Sequence, residues 1–181
     1  DRGMAPLFET IVNHVPPPQA EREGPFRMLA TTLELDPYLG RVLTGRIHSG
    51  SSPQNMPAKV LSRDGEVLQE GRLTKLLAFR GLQREPVESA EAGDIVAVAG
   101  LDEATVAHTI CAPEVEEPLA AQPIDPPTLA MTFSVNDSPL AGREGDKVTS
   151  RMIRDRLFRE AEGNVAIQVS ETEEKDAYQV A

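Results

Sequence analysis

The chain has 181 residues, 40% hydrophobic and 26% charged, which sets it apart from disordered chains, and no apolar run approaches the ~18 residues that a bilayer-spanning helix needs. Its 29 acidic and 18 basic residues give a formal net charge of −11, which argues against nucleic-acid binding by the molecule as a whole. The 4% aromatic content without tryptophan argues against base-stacking platforms, and the single cysteine, Cys111, excludes an internal disulfide framework or a cysteine-rich metal site.

Met4, Leu7, Phe8, Ile11 and Val12 recur at i, i+3, i+4, i+7 and predict a helix over Met4–His14 with one buried face, its partner surface lying elsewhere. Pro16, Pro17 and Pro18 end it in a stiff extended linker. The chain begins at Asp1 with this helix already under way and shows no signal peptide, so it reads as part of a longer protein.

Residues 25–112 read as β throughout. Predicted strands are Phe26–Leu35, Arg41–His48, Ala58–Leu61, Val67–Phe79 with an interruption near Glu70-Gly71, Ile95–Ala99 and a closing one near Thr109–Ala112. Asp36-Pro37, Gly50–Pro53, Asp64-Gly65 and Gly93-Asp94 are the turns, and Asp64-Gly65 has the chemistry of a tight hairpin. Six short strands with no helical period between them predict a small closed β-barrel, which would also remove exposed strand edges.

Residues 113–127 carry five prolines and no period, and read as a second linker. Leu129, Met131, Phe133 and Val135 then alternate with small polar residues as a strand. A Gly- and Pro-bearing loop follows, and Asp146 is the expected cap of a helix from Lys147 to about Glu162, with Ser150, Ile153, Leu157 and Ala161 inward and Gly163-Asn164 as its stop. Val165, Ile167 and Val169 alternate as a second strand, and a third starts at Tyr178. The order β-α-β-β is most of a ferredoxin-like unit, truncated before its last helix and strand, with one sheet face left open. The organisation is thus 1–24 helix and proline linker, 25–112 barrel, 113–127 linker, and 128–181 partial ferredoxin-like unit: mainly β followed by α+β.

Reactive chemistry is sparse. Gly142–Lys147 is the nearest approach to a phosphate-binding loop, but its spacing is wrong and Asp146 would face phosphate oxygens. His14, His48 and His108 lack metal-ligand spacing, and Cys111 sits among apolar residues as an inert thiol. No catalytic residue and no metal site is predicted. Charge distribution says more. Residues 41–85 hold eight basic against four acidic side chains, a net +4, so the remainder carries −15. Arg46, Lys59, Lys75, Arg80 and Arg84 are the candidates for phosphate contact in this segment. Lys147, Arg151 and Arg154 form a further stripe on the predicted helix. Ordinary solvated strand and helix faces account for the same residues.

Gly40-Arg41-Val42-Leu43-Thr44-Gly45-Arg46-Ile47-His48-Ser49-Gly50 resembles the G-x-x-x-x-G-R-[IV]-x-x-G run in the second domain of translational GTPases. Ala92-Gly93-Asp94-Ile95 through Leu101, then Asp102 and Thr109-Ile110-Cys111, is similar to the end of that barrel. Phe133-Ser134-Val135-Asn136-Asp137-Ser138-Pro139-Leu140-Ala141-Gly142-Arg143-Glu144-Gly145-Asp146-Lys147-Val148-Thr149-Ser150-Arg151 resembles the V-N-x-S-P-[FL]-x-G-[KR]-E-G-x-x-V-T-S-R of the TypA/BipA family. Met4–Pro16 resembles the end of that family's GTPase domain.

The resemblance implies a cytoplasmic, ribosome-associated translation factor linked to stress adaptation and ribosome assembly. It implies that the second domain packs on the parent's own GTPase domain and touches small-subunit RNA, while the third relays. GTP and magnesium are implied for an N-terminal domain whose motifs have no counterpart here, so this chain is expected to be no enzyme, to hold no cofactor and to meet no membrane. Ser49, Ser51 and Ser52 stand where relatives often carry lysine or arginine, which weakens the RNA grip expected of that loop. The other reading is a protein-interaction scaffold without RNA contact.

Overall fold

The computed structural model describes residues 3–16, 20–81, 83–123, 125–136, 138–139, 141 and 149–181. After helix α1 (Ala5–His14) come ten strands: β1 (Arg27–Asp36), β2 (Gly40–Ser49), β3 (Ser51–Pro53), β4 (Pro57–Leu61), β5 (Val67–Arg72), β6 (Lys75–Arg80), β7 (Gln83–Pro86), β8 (Ser89–Glu91), β9 (Ile95–Ala99) and β10 (Thr109–Cys111). Then follow β11 (Met131–Ser134), α2 (Ser150–Gly163), β12 (Val169–Glu171) and β13 (Ala177–Val180).

Eight strands form one antiparallel sheet in the order β5-β4-β10-β1-β2-β9-β6-β7. Val60, Ile110, Met28 and Ile47 lie opposite one another across four of them and are fully buried, so alternation in each strand builds one inner face. Leu76, Val98 and Leu43 form a second inner row.

The sheet is strongly curled. β5 and β6 are six places apart in the order, ~29 Å in a flat sheet, yet only Leu73 and Thr74 join them, a reach of about 11 Å. Within those two residues the chain passes from Leu73 N–H on Met56 O to Thr74 N–H on Ala99 O. The predicted closed barrel is corrected here: the end strands β5 and β7 do not pair, and the roll is completed by this corner rather than by a continuous ladder.

Other expectations shift locally. The break in Val67–Phe79 falls at Leu73-Thr74, not Glu70-Gly71. β3 and β8 pair with each other where only a turn was expected at Gly50–Pro53, and β7 is a further strand. In the second linker Val115 enters the core and Leu119 N–H reaches Thr109 Oγ1 at 2.8 Å.

Helix α1 forms as predicted, but no residue in it is buried. Met4, Leu7, Phe8, Ile11 and Val12 are exposed, and nothing among the described residues covers them.

The last three strands are antiparallel in the order β11-β13-β12. β11 and β12 therefore run parallel, α2 crosses between them, and β13 is inserted: a split βαβ arrangement. Thr149 caps α2, its side chain accepting from Met152 N–H, and the predicted Asp146 cap and Lys147 lie outside the described residues. Tyr178 shares one sheet face with Phe133 and Met131, and Phe158 of α2 meets it edge-on at 6.5 Å. The helix covers the β12–β13 side of that face, leaving Leu129, Met131 and Phe133 on the β11 side 84%, 67% and 41% exposed. No described helix is long and apolar enough to cross a membrane.

Candidate nucleic-acid interface

Register decides which of the predicted cations share a face. Val42, Ala99 and Lys75 lie opposite one another across β2, β9 and β6, and Arg46 lies opposite Ile95. Phe79 lies opposite Arg84. Counting by twos along these strands puts Arg46, Lys75 and Arg84 on the outer face, with the exposed Ile95 and Phe79 between the two arginines. The two remaining barrel candidates depart from this face. Arg80 alternates to the other side at the end of β6, where it is exposed. Lys59, between Glu70 and Cys111 on the adjacent strands, is only 8% exposed, so the expected surface contact is corrected to a buried stem.

The arginines also differ in what already holds them. Arg84 donates through Nη1 and Nη2 to both carboxylate oxygens of Glu34, and its guanidinium lies 5.2 Å from the Phe79 ring centre. That pair joins β7 to β1, four places away in the sheet, so the β6–β7 hairpin folds back across the outer face. There Val42, Ala97 and Ala99 form a small second cluster with Leu39 and Leu77. The hydrogen bond from Arg84 holds the Glu34 carboxyl below its usual range, and Glu34 raises Arg84. Lys75 and Arg80 make no ion pair among the described residues. His48, two residues along β2 from Arg46, has its pKa lowered first by burial and then by Arg46 and Arg27, a sign of positive potential on this part of the face.

On α2, Arg154 donates from Nε to Glu171 at 2.9 Å and lies 4.8 Å from the Phe158 ring centre, tying the helix to β12. Arg151 approaches Asp155 at 3.9 Å. These two serve the helix and its docking, and Lys147 lies outside the described residues. Sequence reasoning missed Glu34 as the partner of Arg84, because nothing local marks two residues fifty positions apart as neighbours.

The described residues offer no catalytic constellation. No three His, Cys, Asp or Glu among them could hold a metal ion, and Gly142–Lys147 lies outside them. Burial pushes the Cys111 thiol up to about 11, which keeps it protonated and inert.

Residues 38–111 match the family described as Elongation factor Tu domain 2. The chain is 46% identical over 178 residues to the large ribosomal subunit assembly factor BipA of Synechocystis. It is 44% identical to that of Haemophilus influenzae and 42% identical to that of Escherichia coli K12. Each match covers 98% of this chain but only 29–30% of the relative's length.

Proposed function

We propose that this chain, which belongs to the family of the BipA assembly factors, supplies the barrel-type second unit and the first part of a ferredoxin-like third unit of a ribosome-bound translational GTPase in the cytoplasm. The observation that carries this reading is homology along 98% of the chain to proteins named for large-subunit assembly. In this reading residues 25–112 contact small-subunit RNA, residues 128–181 relay to further parts of the parent protein, and the chemistry of GTP and magnesium belongs to the parent's GTPase domain.

Phosphate contact would rest on the cations that are not already engaged. Lys75 and Arg80 fit that description, while Arg84 is held by Glu34 and serves the fold first. Arg80→Ala and Lys75→Ala should each flatten the log–log salt dependence of binding to small ribosomal subunits by up to about 0.7–0.9. Arg84→Ala should lower thermal stability with a smaller change in slope. An unchanged slope in the Lys75/Arg80 double variant would make the barrel a protein-docking surface instead. The wider second reading, a protein-interaction scaffold, draws support from the exposed apolar stripes on α1 and β11, which lie outside the barrel.

The same reading expects this chain to bind neither GTP nor GDP. Isothermal calorimetry should give no heat of binding at micromolar concentrations, with magnesium present or absent. Saturable micromolar binding would move a nucleotide site into these residues and overturn the division of labour.

A further inference from the structure

We infer that the cleft where the β4–β5 turn meets the loop before β10 is an oxyanion site that takes a phosphate group on Ser62, Arg63 and His108.

The fold makes the juxtaposition unavoidable. Thr109 of β10 lies opposite Leu61 of β4 in an antiparallel pair, so His108 and Ser62 come side by side where the ladder ends. Around them is a surface cleft of about 280 Å³ lined also by Arg63, Asp64, Thr105, Val106 and Ala107. Its walls are pinned. Ala30 N–H bonds His108 O and Ala107 N–H bonds Ala30 O, while Ser62 and Glu66 are joined through Ser62 N–H and Glu66 O. Ala107 is held at φ +67°, a conformation costly for a residue with a side chain.

Hydrogen-bond accounting shows what this cleft wants. Ser62 Oγ accepts from both Asp64 N–H at 3.2 Å and Glu66 N–H at 3.1 Å. Both lone pairs are used, so its own hydrogen is left to donate. His108 Nδ1 accepts from Thr105 N–H at 3.3 Å, which fixes the neutral ring with its hydrogen on Nε2, again a donor. The Arg63 guanidinium adds donors and positive charge. None of these three groups finds an acceptor among the described residues. Burial first, and then Arg63, lower the His108 pKa, the environment expected where a cation lacks its counter-charge. Arg63 is exposed and Ser62 and His108 are half-buried, so water reaches all three, and a phosphate oxyanion, made of acceptor oxygens and negatively charged, matches their chemistry. Asp64 lines the same cleft and opposes an anion, so affinity is modest and rises when that charge is removed.

The phosphate can come from a free phosphate compound or from an RNA backbone. Proton NMR of the intact chain distinguishes them, since it has only three histidines and His14 on the exposed α1 serves as the internal reference. With sodium phosphate against sodium chloride at equal ionic strength, the His108 titration midpoint should rise by about half a pH unit, because a bound anion favours the protonated ring. Arg63→Gln should remove most of that rise, and Asp64→Asn should give it at lower phosphate concentration. A larger effect from hexauridylate at equal phosphate concentration assigns the site to RNA backbone, and an effect from inorganic phosphate alone assigns it to a free phosphate compound. If neither probe moves His108, or if the rise persists undiminished in Arg63→Gln, the site does not exist.

Discussion

Gly45→Ala should cost about 3 kcal/mol or more of stability, the high end of what overpacking does. Gly45 is the second glycine of the run Gly40–Gly50 and lies in β2 opposite Ala30, just beside a register shift in β1. A Cβ at this position would stand 1.9 Å from Leu29 O. That oxygen is backbone within the ladder, so no rotamer change relieves the clash, and β1 and β2 must separate where they carry Met28 and Ile47 into the core. Gly71→Ala is the control. Its added Cβ would meet the Leu101 side chain at 3.2 Å and Gly100 O at an ordinary 3.6 Å, and the change should stay within about 1 kcal/mol. At roughly 2–4 °C per kcal/mol for a chain of this size, the Gly45 variant should melt about 6–12 °C lower. A Gly45→Ala protein melting within about 2 °C of the parent would mean that the two backbones are not in this contact.

That glycine also shows how much of the fold was legible. The motif flagged Gly45, but only the pairing with β1 supplies the reason. The two ten-residue strands β1 and β2 were readable because buried positions alternate in them, at Met28 and Ala30 and at Leu43, Gly45 and Ile47, while β4 and β10 were readable as the short apolar runs of Ala58–Leu61 and Thr109–Ala112. β3, β7 and β8 were not, since each has three or four residues and two carry a proline, Pro53 or Pro86, so no period can develop. The corner at Leu73-Thr74 was hidden because Leu73 and Thr74 are themselves ordinary strand residues while Glu70-Gly71, just before them, carries the stronger turn signal, and only the partners Met56 and Asn55 reveal the turn.

The site was legible in charge but not in geometry. A net +4 segment is a property of composition, whereas the separation of Lys59 from Lys75 depends on which side of a strand faces the core. Alternation alone would have placed Lys59 outward, as it lies between Ala58 and Val60. The segment after β10 crowds that outer surface, with Leu119 N–H bonded to Thr109 Oγ1. The Arg84–Glu34 pair and the Ser62–His108 cleft join residues far apart in sequence, and each becomes visible only after the register is known.

Tyr178→Ala should unfold the split βαβ unit while the curled sheet stays intact. Among the described residues of 128–181 only Ala177 and Tyr178 are buried, and Met131 and Phe133 are exposed, so the described part of this unit has little core to lose. Tyr178 is the centre of what there is. It sits between Phe133 and Glu171 on the neighbouring strands, takes the edge-on contact from Phe158, and its hydroxyl meets Ser150 Oγ at 3.0 Å. Truncating a buried aromatic costs about 3–5 kcal/mol, more than so small a core can supply. The large sheet has its own rows of fully buried Met28, Ile47, Val60, Ile110 and Leu76 and makes few contacts with α2, among them Leu35 against Gly163. Hydrogen exchange should therefore show α2, β12 and β13 losing their protection in Tyr178→Ala with β1, β2 and β9 unchanged. Tyr178→Phe keeps the ring contact and gives up only the hydroxyl bond, a loss of about 1 kcal/mol, and should leave the unit folded. If α2 in Tyr178→Ala exchanged within about threefold of the parent rate, a change of less than 1 kcal/mol in local opening, the stability of the unit would have to come from contacts other than this ring.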